Sequence, residues 1–180
     1  MRQAFETLKT INNKSGIYYV YGNHDRATYS QNPSFTYEEL SETIEKNSIK
    51  ILSDESVLLQ DDFILFGRED RNRGERKASS ELLNEHTNTS AFLLMLDHQP
   101  VDLKVNDQLG YDLQLSGHTH GGQMFPVGLI SDWLGFGEMN YGYKKMDHMQ
   151  VIVSSGIAGW GYPLRTGSHS EYVIVNIIKK

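Results

Sequence analysis

The chain has 180 residues, 38% hydrophobic and 22% charged, with a formal net charge of −6 at pH 7, seven histidines and no cysteine. That length buries one core; no stretch reaches the roughly 18–20 consecutive apolar residues of a membrane span, the start at Met1 to Glu6 lacks a signal-peptide core, and scattered Lys and Arg on an acidic chain argue against a nucleic-acid surface. Without cysteine, disulfides, thiolate zinc sites and cysteine nucleophiles are excluded, so a metal is left to His, Asn, Asp and Glu, and the chain as given reads as soluble.

Phe5, Leu8 and Ile11 at helical spacing, closed by the polar cluster Asn12 to Gly16, predict a short amphipathic helix over Arg2 to Ile11. Ile17 to Tyr21 is a run of β-formers, apolar on both faces, and predicts a strand buried inside a sheet. It stops at Gly22, which puts Asn23, His24 and Asp25 beyond its C-terminal end, where open α/β sheets hold their ligands. After a loop over Arg26 to Phe35, Thr36 and Glu39 form a capping-box signature for a helix to Asn47, with Leu40 and Ile44 inward. Ile49 to Leu52, Ser56 to Gln60 and Phe63 to Gly67 follow as strands, the last two joined by a turn at Asp61-Asp62.

The charged stretch Arg68 to Lys77 reads as a solvated loop, with Arg68 and Arg71 near enough to a strand end to reach a phosphate. A helix over Ser80 to Thr87 leads to Ala91 to Leu96, a continuous apolar run expected to be covered on both faces and to end in Asp97-His98. Leu113 to Ser116 is expected as a strand that breaks at Gly117 and delivers His118 and His120. Leu129 to Leu134 reads as a helical turn, Asn140 to Lys144 and Gln150 to Ser154 as strands, Ser155 to Pro163 as a glycine-punctuated loop, and Glu171 to Ile178 as a final strand.

Residues two apart on an extended segment face one side, so His118 and His120 can converge. Alone, such a pair is at least as often a surface or satisfied pair as a metal site. Three separate strands that end in Asn23, in His98 and in His118 with His120 are harder to attribute to packing. Imidazole with amide or carboxylate oxygen suits zinc, manganese or iron, and a neutral Asn ligand leaves more of an ion's charge free to polarise an anion such as phosphate. Plainer readings hold elsewhere: His86 on an exposed helix, His148 in a turn, His169 at the surface, Trp133, Trp160 and the tyrosines as core or rim, and Asp54, Asp61 and Asp62 as turn residues.

Gly22-Asn23-His24-Asp25, then Asp97-His98, then Gly117-His118-Thr119-His120, in that order, resembles the calcineurin-like metallophosphoesterase superfamily. Gly67-Arg68-Glu69-Asp70, Leu96 to Pro100, Gly121-Gly122-Gln123 and Gly159 to Arg165 resemble a bacterial branch of it, whose members are often anchored to the membrane or exported across it. The resemblance implies an α/β fold of two facing β-sheets flanked by helices, a single domain over 1–180 that forms the C-terminal portion of the family domain. It implies hydrolysis of phosphomono-, phosphodi- or diphosphate esters by a hydroxide held on two divalent metals, Mn, Zn or Fe. It also implies that Asn23, His98 and His118 hold the second metal and His120 the first, that His24 is the general acid with Asp25 orienting its ring, and that Arg165 touches the substrate phosphate. The partner implied is a phosphate-ester substrate, with no nucleic acid.

The family pattern opens with Asp-x-His and Gly-Asp-x-x-Asp, which carry the first metal's ligands and a bridging carboxylate; neither motif occurs in the chain. The expectation is therefore an N-terminally truncated member with its first strands missing, an apolar unpaired edge at Ile17 to Tyr21, at most one weakly held metal and little hydrolysis by this chain alone. The alternatives are a non-catalytic phosphoesterase-like binding module, which has no use for an acid and its orienter at His24 and Asp25, and a mononuclear zinc hydrolase.

Overall fold

The computed structural model describes all residues except 27–31, 61, 87–88, 135–136, 162 and 179–180, and all side chains of those except 131 and 132. The uninterrupted apolar runs make the middle of a six-stranded sheet. β3 (Glu55–Gln60) pairs antiparallel with β4 (Phe63–Gly67); β4, β5 (Phe92–Leu96), β6 (Leu113–Ser116) and β8 (Gln150–Val153) are parallel neighbours, and β7 (Gly142–Lys145) closes the far edge antiparallel to β8. A separate small sheet pairs β1 (Ile17–Tyr19) in parallel with β2 (Ile49–Ile51).

Both faces of the large sheet are covered. Ile64, Phe66, Leu93, Met95, Val151 and Val153 pack with Leu82 of α3 (Ser79–Asn84) and Leu103 of α4 (Leu103–Leu109). The alternate residues Leu65, Leu94 and Leu113 pack with Leu52, Tyr18 and Val20 from the small sheet and its flanks. Because successive strand residues point to opposite faces, two covered faces produce a continuous apolar run. On the outer side of the small sheet, α1 (Arg2–Lys9) and α2 (Tyr37–Lys46) place Phe5, Leu40 and Ile44 against Tyr21 and Ile49. The layers are helices, small sheet, large sheet and helices, the α/β arrangement of two facing sheets that the resemblance implies.

The capping box at α2 forms: Glu39 N donates to Thr36 Oγ1 at 3.1 Å, and Thr36 N donates to the Glu39 carboxylate at 3.0 Å. Replacing Thr36 with alanine is expected to cost about 1 kcal/mol, read as a lower urea midpoint; an unchanged midpoint would show that packing alone sets where this helix begins.

Several expectations are corrected. β1 is shorter than Ile17 to Tyr21 and half-buried, because Tyr21 leaves the strand to bury under α2, where its hydroxyl meets Ser41 Oγ at 2.8 Å; the edge expected there is present, with a strand partner on one side only among the described residues. Arg68 to Lys77 is solvated only in part: Arg71 to Glu75 and Lys77 are exposed as expected, but Arg68, Glu69 and Asp70 are buried at the end of β4. Arg68 Nη1 donates to Asp102 at 2.8 Å and Asp97 at 3.4 Å, Arg76 donates to the same two carboxylates at 3.0 to 3.1 Å, and Glu69 accepts from Ser53, Arg26 and Arg73. Arg68 Nη2 goes to the Lys77 carbonyl at 3.0 Å, so Arg68 is not turned toward a phosphate, while Arg71 stays exposed.

Glu171 to Ile178 forms no strand. Its residues are β-formers, but they pair with no strand among the described residues, and Tyr172, Ile174 and Ile178 stand in solvent; a β pattern becomes a strand only when it pairs. α4 has no counterpart among the predicted elements; its first N–H groups, those of Asp102 and Leu103, donate to the Glu138 carboxylate at 2.7 and 3.0 Å. The helical turn at Leu129 is a full helix, α5 (Val127–Leu134). His86 is half-buried, its Nε2 2.6 Å from Ser56 Oγ and its ring edge-on to Phe66. Asp61 of the expected hairpin turn, Thr87 of the expected helix, Tyr162, and residues 27–31 of the expected loop lie outside the described residues.

Candidate functional site

Parallel strands present their C-terminal ends at one edge, and the loops that leave β1, β5, β6 and β8 surround a cavity of about 980 Å³. Its wall holds Asn23, His24 and Asp25 after β1, His98 after β5, Gly117 to His120 after β6, and Ser154 to Gly161 after β8. The backbone there is tightly formed. His118 and His120 sit in the left-handed region at φ 66° and 53°, a conformation that costs a non-glycine residue about 1–2 kcal/mol, so the surrounding packing must hold both in place.

Three side-chain atoms from three loops meet. Asn23 Oδ1 lies 3.0 Å from His98 Nε2 and 3.1 Å from His118 Nδ1, and the two ring nitrogens are 3.2 Å apart. Burial first, and then the neighbouring His118, push the His98 imidazole down to about 4. Burial likewise lowers His118, against the negative charge of Asp70. Both rings are therefore neutral at pH 7, the form that ligates metal. Two donors each about 2.1 Å from one ion stand about 3.0–3.4 Å apart at angles from right to tetrahedral, so these separations fit a shared divalent ion. Among the described residues no group of three or more His, Cys, Asp or Glu side chains is placed to hold an ion; this trio reaches its number through the Asn23 amide.

The other candidates are placed differently. His120 lines the same cavity, but no hydrogen bond joins its ring to the trio; burial lowers its pKa while the carbonyls of Ala158 and Ser155 beside it pull the other way. His24 is exposed at the wall, its ring 6.0 Å from that of Trp160. Asp25 Oδ2 accepts from Gly22 N at 2.6 Å and from the Tyr19 hydroxyl at 2.8 Å, which fixes the turn carrying Asn23 and His24; burial raises its pKa. Arg165 donates from Nη1 and Nη2 to the carbonyls of Ser155, Ala158 and His169, at 2.5 to 3.2 Å, so a contact with a substrate phosphate would have to replace those bonds.

Two residues named from the sequence only inside family-like stretches, without a role, have one here. Gln123 is buried and clamps the loop after β8: its Nε2 donates to the carbonyls of Trp160 and Leu164 at 2.8 and 3.1 Å, and its Oε1 accepts from Trp160 N at 2.5 Å. Asp70 is buried against Gln99, and its charge reaches both His98 and His118. The usable signal for Asp70 was its place just after a strand end, the same rule that singled out Asn23 and His98.

Gly22 lets the His98 ring come close, since a Cβ there would stand 2.9 to 3.1 Å from three of its ring atoms. Gly22→Ala is therefore expected to displace His98, weaken any metal held by the trio, and cost about 1–3 kcal/mol of stability through overpacking. Metal titration beside a urea melt checks this, and a variant with unchanged affinity would mean that the ring has room to move.

No family model matches the chain, and no solved structure matches it. It is 31% identical to an uncharacterized metallophosphoesterase of Campylobacter jejuni over 98% of this chain and 46% of that protein. It is 30% identical to a transmembrane protein with metallophosphoesterase domain of Danio rerio, over 100% of this chain and 42% of that protein, and 30% identical to an uncharacterized metallophosphoesterase of Aquifex aeolicus, over 96% and 64%. The chain thus spans about half the length of the curated relatives it matches. Similarity of this kind along nearly every residue, on two facing sheets whose strand ends gather the Asn and His side chains, places the chain in the calcineurin-like metallophosphoesterase superfamily.

Proposed function

We propose that the chain forms a metal-dependent phosphoesterase centre in which Asn23, His98 and His118 hold a single divalent ion, Mn, Zn or Fe, and His24 donates the proton to the leaving group. The observation that carries this reading is the approach of three lone-pair atoms, from loops after two different sheets, to within 3.0 to 3.2 Å of one another. When bound, a divalent ion supplies Lewis-acid polarisation of a phosphoryl oxygen and a lowered pKa for water.

The remaining work falls to the chain's own residues. His24, exposed in the cavity wall beside Trp160, gives its proton to the ester oxygen as the bond to phosphorus breaks. Asp25, anchored by Tyr19 and Gly22, keeps the His24 turn in register. His120 is assigned to a second metal position, whose other ligands in the family come from motifs that this sequence does not contain. We therefore expect slow turnover of phosphomono-, phosphodi- or diphosphate esters. Relatives from Danio rerio and Bos taurus are named transmembrane proteins with a metallophosphoesterase domain. Among the described residues of this chain no helix is long and apolar enough to cross a membrane, and a membrane-proximal substrate is part of the proposal.

The test is metal content and hydrolysis of bis(4-nitrophenyl) phosphate by the purified chain with Mn2+ or Zn2+. The expected result is a single ion per chain and slow, chelator-sensitive turnover that falls by about 10²–10⁴-fold in His24→Gln. Fast turnover would overturn the single-ion assignment, and absence of bound metal would overturn the site. Metal bound without turnover would favour a second reading, a phosphoesterase-like binding module, which the missing Asp-x-His and Gly-Asp-x-x-Asp motifs support.

A further inference from the structure

Arg165 stands half-buried between exposed neighbours, Leu164 and Thr166. Its guanidinium donates to the carbonyls of Ser155, Ala158 and His169, and from Nη1 to Ser168 Oγ at 3.2 Å. Those groups also surround His120. Ser168 Oγ donates to the His120 carbonyl at 2.7 Å. Ser168 and Ser155 pack against Gly121, where an added Cβ would stand 3.0 and 3.2 Å from their own. The carbonyls of Ala158 and Ser155 act on the His120 ring as acceptors, and the charge of Arg165 is felt there as well. Apart from the His169 carbonyl, every group that Arg165 holds is thus a neighbour of His120.

We infer that Arg165 is a positioning residue for His120: it fixes the Ser155 and Ala158 carbonyls against the imidazole, so that one ring nitrogen is kept as N–H and the other turns its lone pair into the cavity. Which nitrogen of an imidazole carries the proton is set by the partner that the ring meets, and a ligating histidine almost always donates its second ring N–H to a carbonyl, a carboxylate or water. Neither side of this contact lies in a strand or an α-helix, and His120 itself sits at φ 53°, so the carbonyls need another anchor. A guanidinium suits the task, because its planar fork bonds several acceptors at once where an ammonium is a single point. The same bonds leave Arg165 engaged with the backbone and not with an anion. The inference rests on the phosphoesterase reading only for the use that His120 makes of the lone pair; the orientation itself needs no ion.

The metal-free chain carries the test, with its histidine rings labelled with 15N and read by long-range proton–nitrogen spectra at pH 8. In the parent, His120 should show one tautomer in about tenfold excess, the worth of one hydrogen bond, with a ring N–H slow enough in exchange to be seen in water. Arg165→Met should lose that N–H and average the two tautomers, while the His98 and His118 rings keep the shifts of the parent. Arg165→Lys, which keeps a cation without the fork, should retain part of the excess, and it carries the comparison if the methionine variant does not fold. Ser168→Ala removes the hydroxyl bond to the His120 carbonyl and leaves the bonds from Arg165 to the carbonyls; its His120 ring should read like that of the parent.

A parent ring that averages both tautomers would overturn the inference, as would a His120 ring unchanged in Arg165→Met or, where that chain does not fold, in Arg165→Lys. Loss of the tautomer in Ser168→Ala to the same degree would also overturn it, since packing of 165–169 as a whole would then orient the ring. An unchanged ring with Arg165 Nη–H resonances that shift on addition of inorganic phosphate would overturn it in favour of an anion contact. Because every readout is taken without metal, a failure here is separable from a failure of the phosphoesterase proposal.

Discussion

Replacing His118 with alanine is expected to remove most of the chain's affinity for a divalent ion, a loss beyond the roughly 10–100-fold that follows when only a supporting residue around a metal is removed. His118 contributes one of three donor atoms, 3.1 Å from Asn23 Oδ1 and 3.2 Å from His98 Nε2, and its removal leaves an amide and one imidazole. The backbone offers a control. His118 lies at φ 66°, where alanine is strained and glycine is not. His118→Gly should therefore be the more stable of the two variants, yet should lose the ion equally. Equal loss assigns the effect to the missing imidazole; recovery in the glycine variant would assign it to a misfolded loop. Asn23→Asp works in the opposite direction, because a carboxylate oxygen in the amide's place adds charge to the ligand set, and the ion should be held at least as tightly. Calorimetric titration with Mn2+ and Zn2+ reads all three, and a His118→Ala chain that titrates like the parent would remove the trio as the site.

The parts of this fold legible in the sequence are those where burial acts on neighbours in the chain. Phe63 to Gly67 and Phe92 to Leu96 are apolar throughout because both faces of their sheet are covered, and the loops after such strands could be located by where the runs stop. Asn23, His98 and His118 were singled out on that ground, and the structure brings their donor atoms together. What could not be read depends on partners distant in sequence. Within the charged run Arg68 to Lys77, Arg68 and Arg76 look solvated until Asp97 and Asp102, 21 to 34 residues further on, are seen to meet them. The start of α4 is capped by Glu138, 35 and 36 residues away from the groups it accepts from. Glu171 to Ile178 shows the converse: it has β-forming residues yet pairs with no strand among the described residues. The role of Gln123 could not be read for a related reason, since its clamp on the backbone at Trp160 and Leu164 leaves no periodic trace.

The largest expected loss of stability comes from Arg68. Its guanidinium is 3% exposed and the Asp97 side chain is fully buried. Burial pushes the Asp97 carboxyl up to about 6 even with Arg76 and Arg68 beside it, so desolvation already outweighs their attraction. Arg68→Met removes one of the two cations and also the bond to the Lys77 carbonyl. Breaking a buried pair by taking away one partner costs about 3–5 kcal/mol, whereas replacing all its members with shape-matched neutral groups is often close to neutral. The single variant should therefore melt at much lower urea, and Arg68→Met combined with Asp97→Asn should recover part of the loss. Arg68→Lys should fall between, because one ammonium cannot reach Asp102 and the Lys77 carbonyl along the two arms that a guanidinium provides. The consequence extends to the site. Asp97 Oδ1 accepts from Gln99 N at 3.1 Å and so holds the turn on which His98 stands; the metal affinity of Arg68→Met should drop along with its melt, while that of the double variant follows how far the turn is restored. A midpoint within error of the parent would mean that water reaches these charges in solution and that the network holds nothing together.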